Sequence, residues 1–203
     1  MMLHADYIVN HIFSSRTYVL TADGTDDVWL VDCGDIDRVL DNIGDRMIMG
    51  VLLTHAHFDH IYGLPGLLKV FPDCVIYTNE FGIKALQDAK LNMSKYHGMP
   101  VVLDGNAVRM KVCGDSERIA MFDGVSAVCY ETPGHNPSCL AFEVGEWLFT
   151  GDAYIPGTPV VTILPYADKA KAKESVERIL KLAEGRTVMP GHDDQPPEWR
   201  LSI

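Results

Sequence analysis

Apolar positions along the chain fall into short runs broken by turn residues, and the runs show two different periods. Strand-length runs occupy 7–13 and 17–20 around Ser14-Ser15, then 28–31 and 48–54. The last of these is continuous, as expected of a strand buried on both faces. Further strands are predicted at 108–112, 119–122, 125–130, 140–144, 147–150 and 187–189, with Gly145-Glu146 as a hairpin turn between two of them. Helical spacing appears at 35–43, 64–71 and 80–89. It is clearest at 168–183, where Ala172, Val176, Ile179, Leu180 and Ala183 recur on one face. The Gly-Leu-Pro-Gly stretch at 63–66 reads as a turn into a helix rather than a phosphate-cradling loop. Strands outnumber helices and both occur in each half. The pattern predicts a layered α/β domain, with sheets packed face to face and helices outside.

Composition narrows this picture. No linker or repeat divides the 203 residues, so one domain over 1–203 is expected. Hydrophobic residues make up 47% and charged residues 22%, the balance of a soluble globular protein. A net charge of −11 argues against a nucleic-acid partner, since no basic footprint is present. Residues 1–20 lack the apolar core of a signal peptide and no run approaches a membrane span, so a cytoplasmic protein with no membrane partner is expected. Cys33, Cys74, Cys113, Cys129 and Cys139 show no CxxC pairing and are expected to be buried free thiols.

The candidate chemistry lies where apolar strands end. Behind the run at 48–54 stand His55, His57, Asp59 and His60, four potential metal ligands in H-x-H-x-D-H spacing. A polar loop that merely happens to be rich in histidine accounts poorly for that density. His135 ends Thr132-Pro133-Gly134-His135, Asp152 follows Gly151, and His192 ends Pro190-Gly191-His192. Each of these later signals is weak alone, because glycine before a polar residue usually marks a turn. Together, loops at strand ends deliver imidazoles and carboxylates, a donor set suited to zinc and also to iron or manganese.

In this order the motifs resemble the metallo-β-lactamase superfamily, and among its branches the glyoxalase II-like hydrolases. The resemblance spans His55 to His192 and implies a four-layer αβ/βα sandwich with two divalent metal ions, zinc first and iron or manganese as alternatives. By analogy His55, His57 and His135 would hold one ion, Asp59, His60 and His192 the other, and Asp152 would bridge them. The implied activity is a metal-dependent hydrolase that directs a metal-bridging hydroxide at a small ester, thioester or lactone, with Asp59 orienting the nucleophile and shuttling its proton. The presence of both His60 and Asp152 points away from antibiotic hydrolysis, and His57 from the flavin-linked di-iron members, which carry Glu there. A mononuclear iron sulfur dioxygenase acting on persulfides, or a phosphodiesterase or nuclease, shares the motif.

The chain departs from the family pattern in two places. Tyr62-Gly63 replaces a Gly-Gly pair, and Asn136-Pro137-Ser138-Cys139 follows His135 where Thr-Pro-Gly-Ser is usual. Tyr62, at the mouth, and Tyr154, similar in kind to a pocket tyrosine of the lactonase branch but at a different spacing, are candidate contacts to a small-molecule substrate. The proline-rich loop at 155–165 is expected to flank the site. From the short segment after His192, the helical domain with which glyoxalase II enzymes grip glutathione is expected to be absent.

Overall fold

A computed structural model describes residues 1–192. The expectations of a single domain over 1–203 and of no helical domain after His192 reach into residues 193–203, which lie outside the described residues. The described chain forms two sheets. The first runs in order β1 (Leu3–Val9), β2 (Arg16–Ala22), β3 (Asp27–Val31), β4 (Met47–Leu52), β5 (Val75–Thr78) and β6 (Met110–Val112). Its first three strands pair antiparallel, and β3 to β6 are parallel. The second sheet holds β7 (Arg118–Phe122), β8 (Val125–Glu131), β9 (Leu140–Val144), β10 (Trp147–Gly151) and β11 (Thr187–Pro190). It is antiparallel except for the β10–β11 pair.

Parallel neighbours need crossover connections. Helices α1 (Ile36–Ile43), α2 (Phe58–Ile61), α3 (Leu64–Val70) and α4 (Glu80–Leu86) serve the first sheet, and α5 (Lys169–Leu182) joins β10 to β11. Asp168 caps α5, accepting hydrogen bonds from the amides of Ala170 and Lys171 at 2.9 and 3.1 Å.

Side-chain alternation builds the layers. Val28 and Leu30 of β3 pack with Val39, Ile43, Leu64, Leu67 and Leu86 from the helices on one face. Trp29 and Val31 point the other way and join Phe142 and Phe149 of the second sheet in an inter-sheet core. Ala141 and Leu148, on the far side of the second sheet, meet Ile179 of α5. The order is helices, sheet, sheet, helix, the αβ/βα sandwich.

Several boundaries differ from the pattern-based reading. The first strand is Leu3–Val9, not 7–13. Residues 10–15 form a loop instead, because Asn10 turns inward. Its amide donates to Ser15 Oγ and Thr17 Oγ1, and its Oδ1 accepts from the Asp35 amide. Phe13 and Ser14 follow with left-handed φ of 54° and 56°. β5 escapes a pattern reading because it is only four residues long, half of them well buried, and lies between two helices. Likewise, α2 is a single turn inside the His-rich motif. All five cysteines are free and buried. Among the described residues, no helix is long and apolar enough to cross a membrane.

Candidate metal centre

The seven residues singled out from the sequence converge. β4 leads into His55, His57, Asp59 and His60, β8 into His135, β10 into Asp152 and β11 into His192. Strand ends carry the loops, and the two sheets hold those ends together. Ligating atoms of His55, His57 and His135 lie within 4.8 Å of one another. The same holds for Asp59, His60 and His192, and for His55, His60 and Asp152. Asp152 stands between the two sets: Oδ1 is 3.5 Å from His60 Nε2, and Oδ2 is 3.3 Å from His192 Nε2 and 3.7 Å from His135 Nε2.

Each imidazole is oriented by what its outward nitrogen meets. His60 Nδ1 donates to Asp32 Oδ2 at 2.8 Å, His135 Nδ1 to the Val161 carbonyl at 2.8 Å and His192 Nδ1 to the Phe13 carbonyl at 3.0 Å. Thr54 Oγ1 donates to Asp32 Oδ2 at 2.7 Å, and so accepts from His55 Nδ1 at 3.2 Å. These four rings therefore turn Nε2 inward. His57 is reversed. Its Nε2 accepts from Asn136 Nδ2 at 2.9 Å, and its Nδ1 lies 2.9 Å from His135 Nε2. Asn136 is held in that sense by Ser138, whose amide and hydroxyl both donate to Asn136 Oδ1 at 3.0 and 2.7 Å.

Two close approaches fix the loops. At Gly63 a Cβ would sit 1.9 Å from the Gly34 carbonyl oxygen, so only the first glycine of the usual pair can be replaced, here by Tyr62. At Gly134, with φ of 144°, a Cβ would lie 2.3 Å from the Ala172 backbone, so the loop before His135 seats directly on α5.

Sequence reasoning missed Asp32, Asn136 as a ring-orienting group, and the Val161 and Phe13 carbonyls. Asp32 had a signal: it is a carboxylate directly after the apolar run 28–31, and it is 1% exposed with a left-handed φ of 59°. A non-glycine residue held there is strained and needs firm support, which its bonds to the Thr54 amide, the Thr54 hydroxyl and His60 supply. The carbonyls carry no sequence signal.

Tyr62 and Tyr154 point to other partners. The Tyr62 hydroxyl donates to Asp35 Oδ1, and Tyr154 packs against the α5-side core. Neither lines the cleft beside His135 and Asp152, whose wall is formed by Ile155, Thr158, Pro159, Val160 and Val161 of the loop expected to flank the site.

Burial and charge act differently on the two sets. Desolvation, reinforced by neighbouring imidazoles, holds His55 well below the ordinary histidine value and His57 at about 3. His135 is lowered too, chiefly by burial. Burial also pushes His60 and His192 down, but carboxylates outweigh it. Asp59 and Asp32 lift His60 well above its ordinary value, and Asp152 and Asp59 bring His192 to about 9. Asp59 and Asp152 lie well below the carboxylate range despite burial, because His60 and His192 face them.

The donor set suits metal ions. His55 Nε2 and Asp152 Oδ1 are buried without a hydrogen-bond partner. An unpartnered buried polar atom costs about 1–3 kcal/mol. Two of them at the centre of a cluster of inward-facing nitrogens and carboxylates is an arrangement that divalent cations would relieve.

A family model described as the metallo-beta-lactamase superfamily matches residues 13–192. A hydroxyacylglutathione hydrolase of Photorhabdus laumondii is 29% identical over 147 residues, covering 70% of this chain and 49% of that protein. The chain thus spans about half the length of that relative. The solved structure of the BLEG-1 B3 metallo-beta-lactamase superposes with a TM-score of 0.83 at 24% identity, covering 97% of this chain and 99% of that one. The protein TTHA1623, solved in a di-iron-bound form, gives a TM-score of 0.74 at 24% identity over 92% and 91% of the two chains. These structural likenesses establish the fold.

Proposed function

The chain belongs to the metallo-β-lactamase superfamily, and from that premise we propose that it is a metal-dependent hydrolase of a small carboxylic ester, thioester or lactone. One observation carries the reading: two ligand triads within 4.8 Å limits, with the Asp152 carboxylate facing imidazoles of both. His55, His57 and His135 would hold one divalent ion, Asp59, His60 and His192 a second, and Asp152 would touch both. Zinc suits the imidazole-rich set, and iron or manganese are the alternatives. Bound there, the ions would supply Lewis acidity, lowering the pKa of a water and polarising the acyl carbonyl.

The chain's own residues do the rest. Asp59 is paired through Oδ2 with His60 and His192 at 3.4 and 3.2 Å, and offers its other oxygen to orient the attacking water and take its proton. Asp32 and Thr54 hold His60 and His55 against rotation, and Val161 does the same for His135. The wall at 155–161 restricts water around the reacting carbonyl.

The test is elemental analysis of protein expressed without metal supplementation, combined with a panel of thioester, lactone, β-lactam, phosphodiester and persulfide substrates. Two divalent ions per chain with turnover of carboxylic esters is the expected result. A single iron with oxygen consumption on glutathione persulfide would overturn the proposal, as would turnover of phosphodiesters alone.

A further inference from the structure

The loop at 10–15 supports the second triad. Its Phe13 carbonyl accepts from His192 Nδ1 at 3.0 Å, Ser15 Oγ donates to the Asp59 carbonyl at 2.7 Å, and just beyond it the Arg16 amide donates to the Gly191 carbonyl at 2.7 Å. Phe13 and Ser14 have left-handed φ, and non-glycine residues persist there only where their surroundings hold them. Asn10 does part of that holding from within the loop. Asp35 does more of it from outside. Its Oδ2 accepts from the His11 amide at 2.9 Å and from His11 Nδ1 at 2.5 Å, with an Arg38 nitrogen at 3.6 Å. Its Oδ1 accepts from the Tyr62 hydroxyl. Asp35 precedes α1 yet makes no side-chain capping bond to it, so its carboxylate is committed to these partners.

Tyr62 stands at the C-terminal end of α2, where the family pattern has glycine. Its side chain closes a circuit. α2 carries Asp59 and His60, Tyr62 reaches from its end to Asp35, Asp35 holds His11, and the Phe13 carbonyl of the same loop holds His192. The circuit begins and ends on ligands of one triad. The imidazole triad is oriented by Thr54, Asn136 and Val161, none of which lies on it. We propose that Tyr62 is a positioning residue: acting through Asp35, it clamps the 10–15 loop and so sets the Asp59, His60 and His192 site, and not the imidazole site, for its metal ion. The assignment rests on the two-ion hydrolase reading above. Its physical basis is that a ligand ring aimed by a carbonyl is no better fixed than the loop that carries the carbonyl.

The experiment loads the wild-type protein, Tyr62→Phe, Asp35→Ala and the double variant with zinc. Chelator competition is followed by nitrogen NMR of the histidine rings, which tells which triad releases its ion. Amide hydrogen exchange of the metal-free proteins is measured alongside. Tyr62→Phe keeps the ring beside Phe58 and removes only the hydroxyl. We expect the Asp59 triad to lose about tenfold in zinc affinity while the imidazole triad keeps its own. Exchange at the Asn10, Ser15 and Arg16 amides should rise while that of α5 holds. In the Asp35→Ala background Tyr62→Phe should cost nothing further, because both act through the same bond. Equal weakening of both triads, or additive losses, would reduce Tyr62 to general packing and overturn the proposal. So would unchanged exchange in the loop. Two zinc ions with the expected pattern but no turnover of any ester would sink the hydrolase reading and leave the clamp standing. Wild-type protein with no zinc in the Asp59 triad would sink the two-ion reading and the clamp with it.

Discussion

His55, His57 and His135 sit beside Asp59, His60 and His192 in one buried cluster, yet the two triads solve the same problem differently. In the first, burial dominates and the rings are neutral, with His57 depressed to about 3. In the second, burial acts in the same direction but carboxylates overcome it, and His192 rises to about 9. The first triad therefore carries no ionised ring, and its one inward proton is that of His57 Nδ1, set by Asn136 donating to Nε2. The second is its own counter-ion pair and must give up protons before it can hold a cation. Residue type does not decide which behaviour appears. The neighbours do: Thr54, Asn136 and a carbonyl on one side, Asp32, Asp59 and Asp152 on the other.

Asp152 joins the two triads, so its loss is the largest expected effect. Asp152→Ala should drop kcat/KM about a thousandfold, the several kcal/mol that Lewis-acid catalysis contributes converted at 1.36 kcal/mol per tenfold. Elemental analysis should show one ion lost, and the ion retained should be in the imidazole triad. In metal-free protein, NMR titration should find His192 moved down from about 9. Full activity with two ions would mean that the triads work independently of the bridge.

Next in size is Asp32→Asn. The amide oxygen can still accept from the Thr54 amide, but the charged partner of His60 is gone. Affinity in the Asp59 triad should fall about 10–100-fold, the usual range for groups that orient a ligand. Chelator competition should show the imidazole triad much less changed. Equal loss in both would say that Asp32 supports the whole loop rather than one ring.

These two predictions also show how far the sequence reaches. The candidate ligands were legible because H-x-H-x-D-H and the three later motifs are local patterns of unusual residue types. The sandwich was legible from strand-length runs and from the helix at 168–183. Asp32 was harder, since its one local signal, a carboxylate directly after the apolar run 28–31, is also what a turn residue shows, and its role depends on register between β3 and β4. The reversal of His57 could not be read at all. It follows from Asn136 Oδ1 being claimed by Ser138 within the loop after β8, and it reaches His57 only once that loop has closed on the loop after β4. Tyr62 and Tyr154 mark the same boundary, for their contacts with Asp35 and with the α5 core join segments far apart in the chain and leave no local pattern.

Asn136→Ala tests the imidazole triad alone. His57 would lose the donor on its Nε2 and with it the constraint on its ring. Affinity in that triad should fall about tenfold, the lower end of the range for orienting groups, because His57 also packs edge-on to His55 and His135. Chelator competition should find the Asp59 triad unaffected, the mirror image of Asp32→Asn.

The smallest effect concerns stability of the chelated protein, and its sign separates the triads. His57 has a folded value of about 3 against 6.5 for an ordinary histidine. Between those values the unfolded chain binds a proton that the folded one refuses, so this triad's contribution is complete above pH 6.5 and is lost as pH falls toward 3. His192 runs the other way. With a folded value of about 9, its contribution is complete below pH 6.5 and is lost as pH rises through 9. Urea midpoints of metal-free protein should therefore peak near pH 6.5. His57→Gln should flatten the limb between pH 6.5 and 4, incompletely, because His55 and His135 are lowered as well. His192→Gln should flatten the alkaline limb, with His60 keeping part of it. Asp59 and Asp152 titrate well below the carboxylate range, so their loss belongs to still lower pH and does not blur the comparison. If both substitutions changed the same limb, the two triads would share one electrostatic character and the contrast between them would fail.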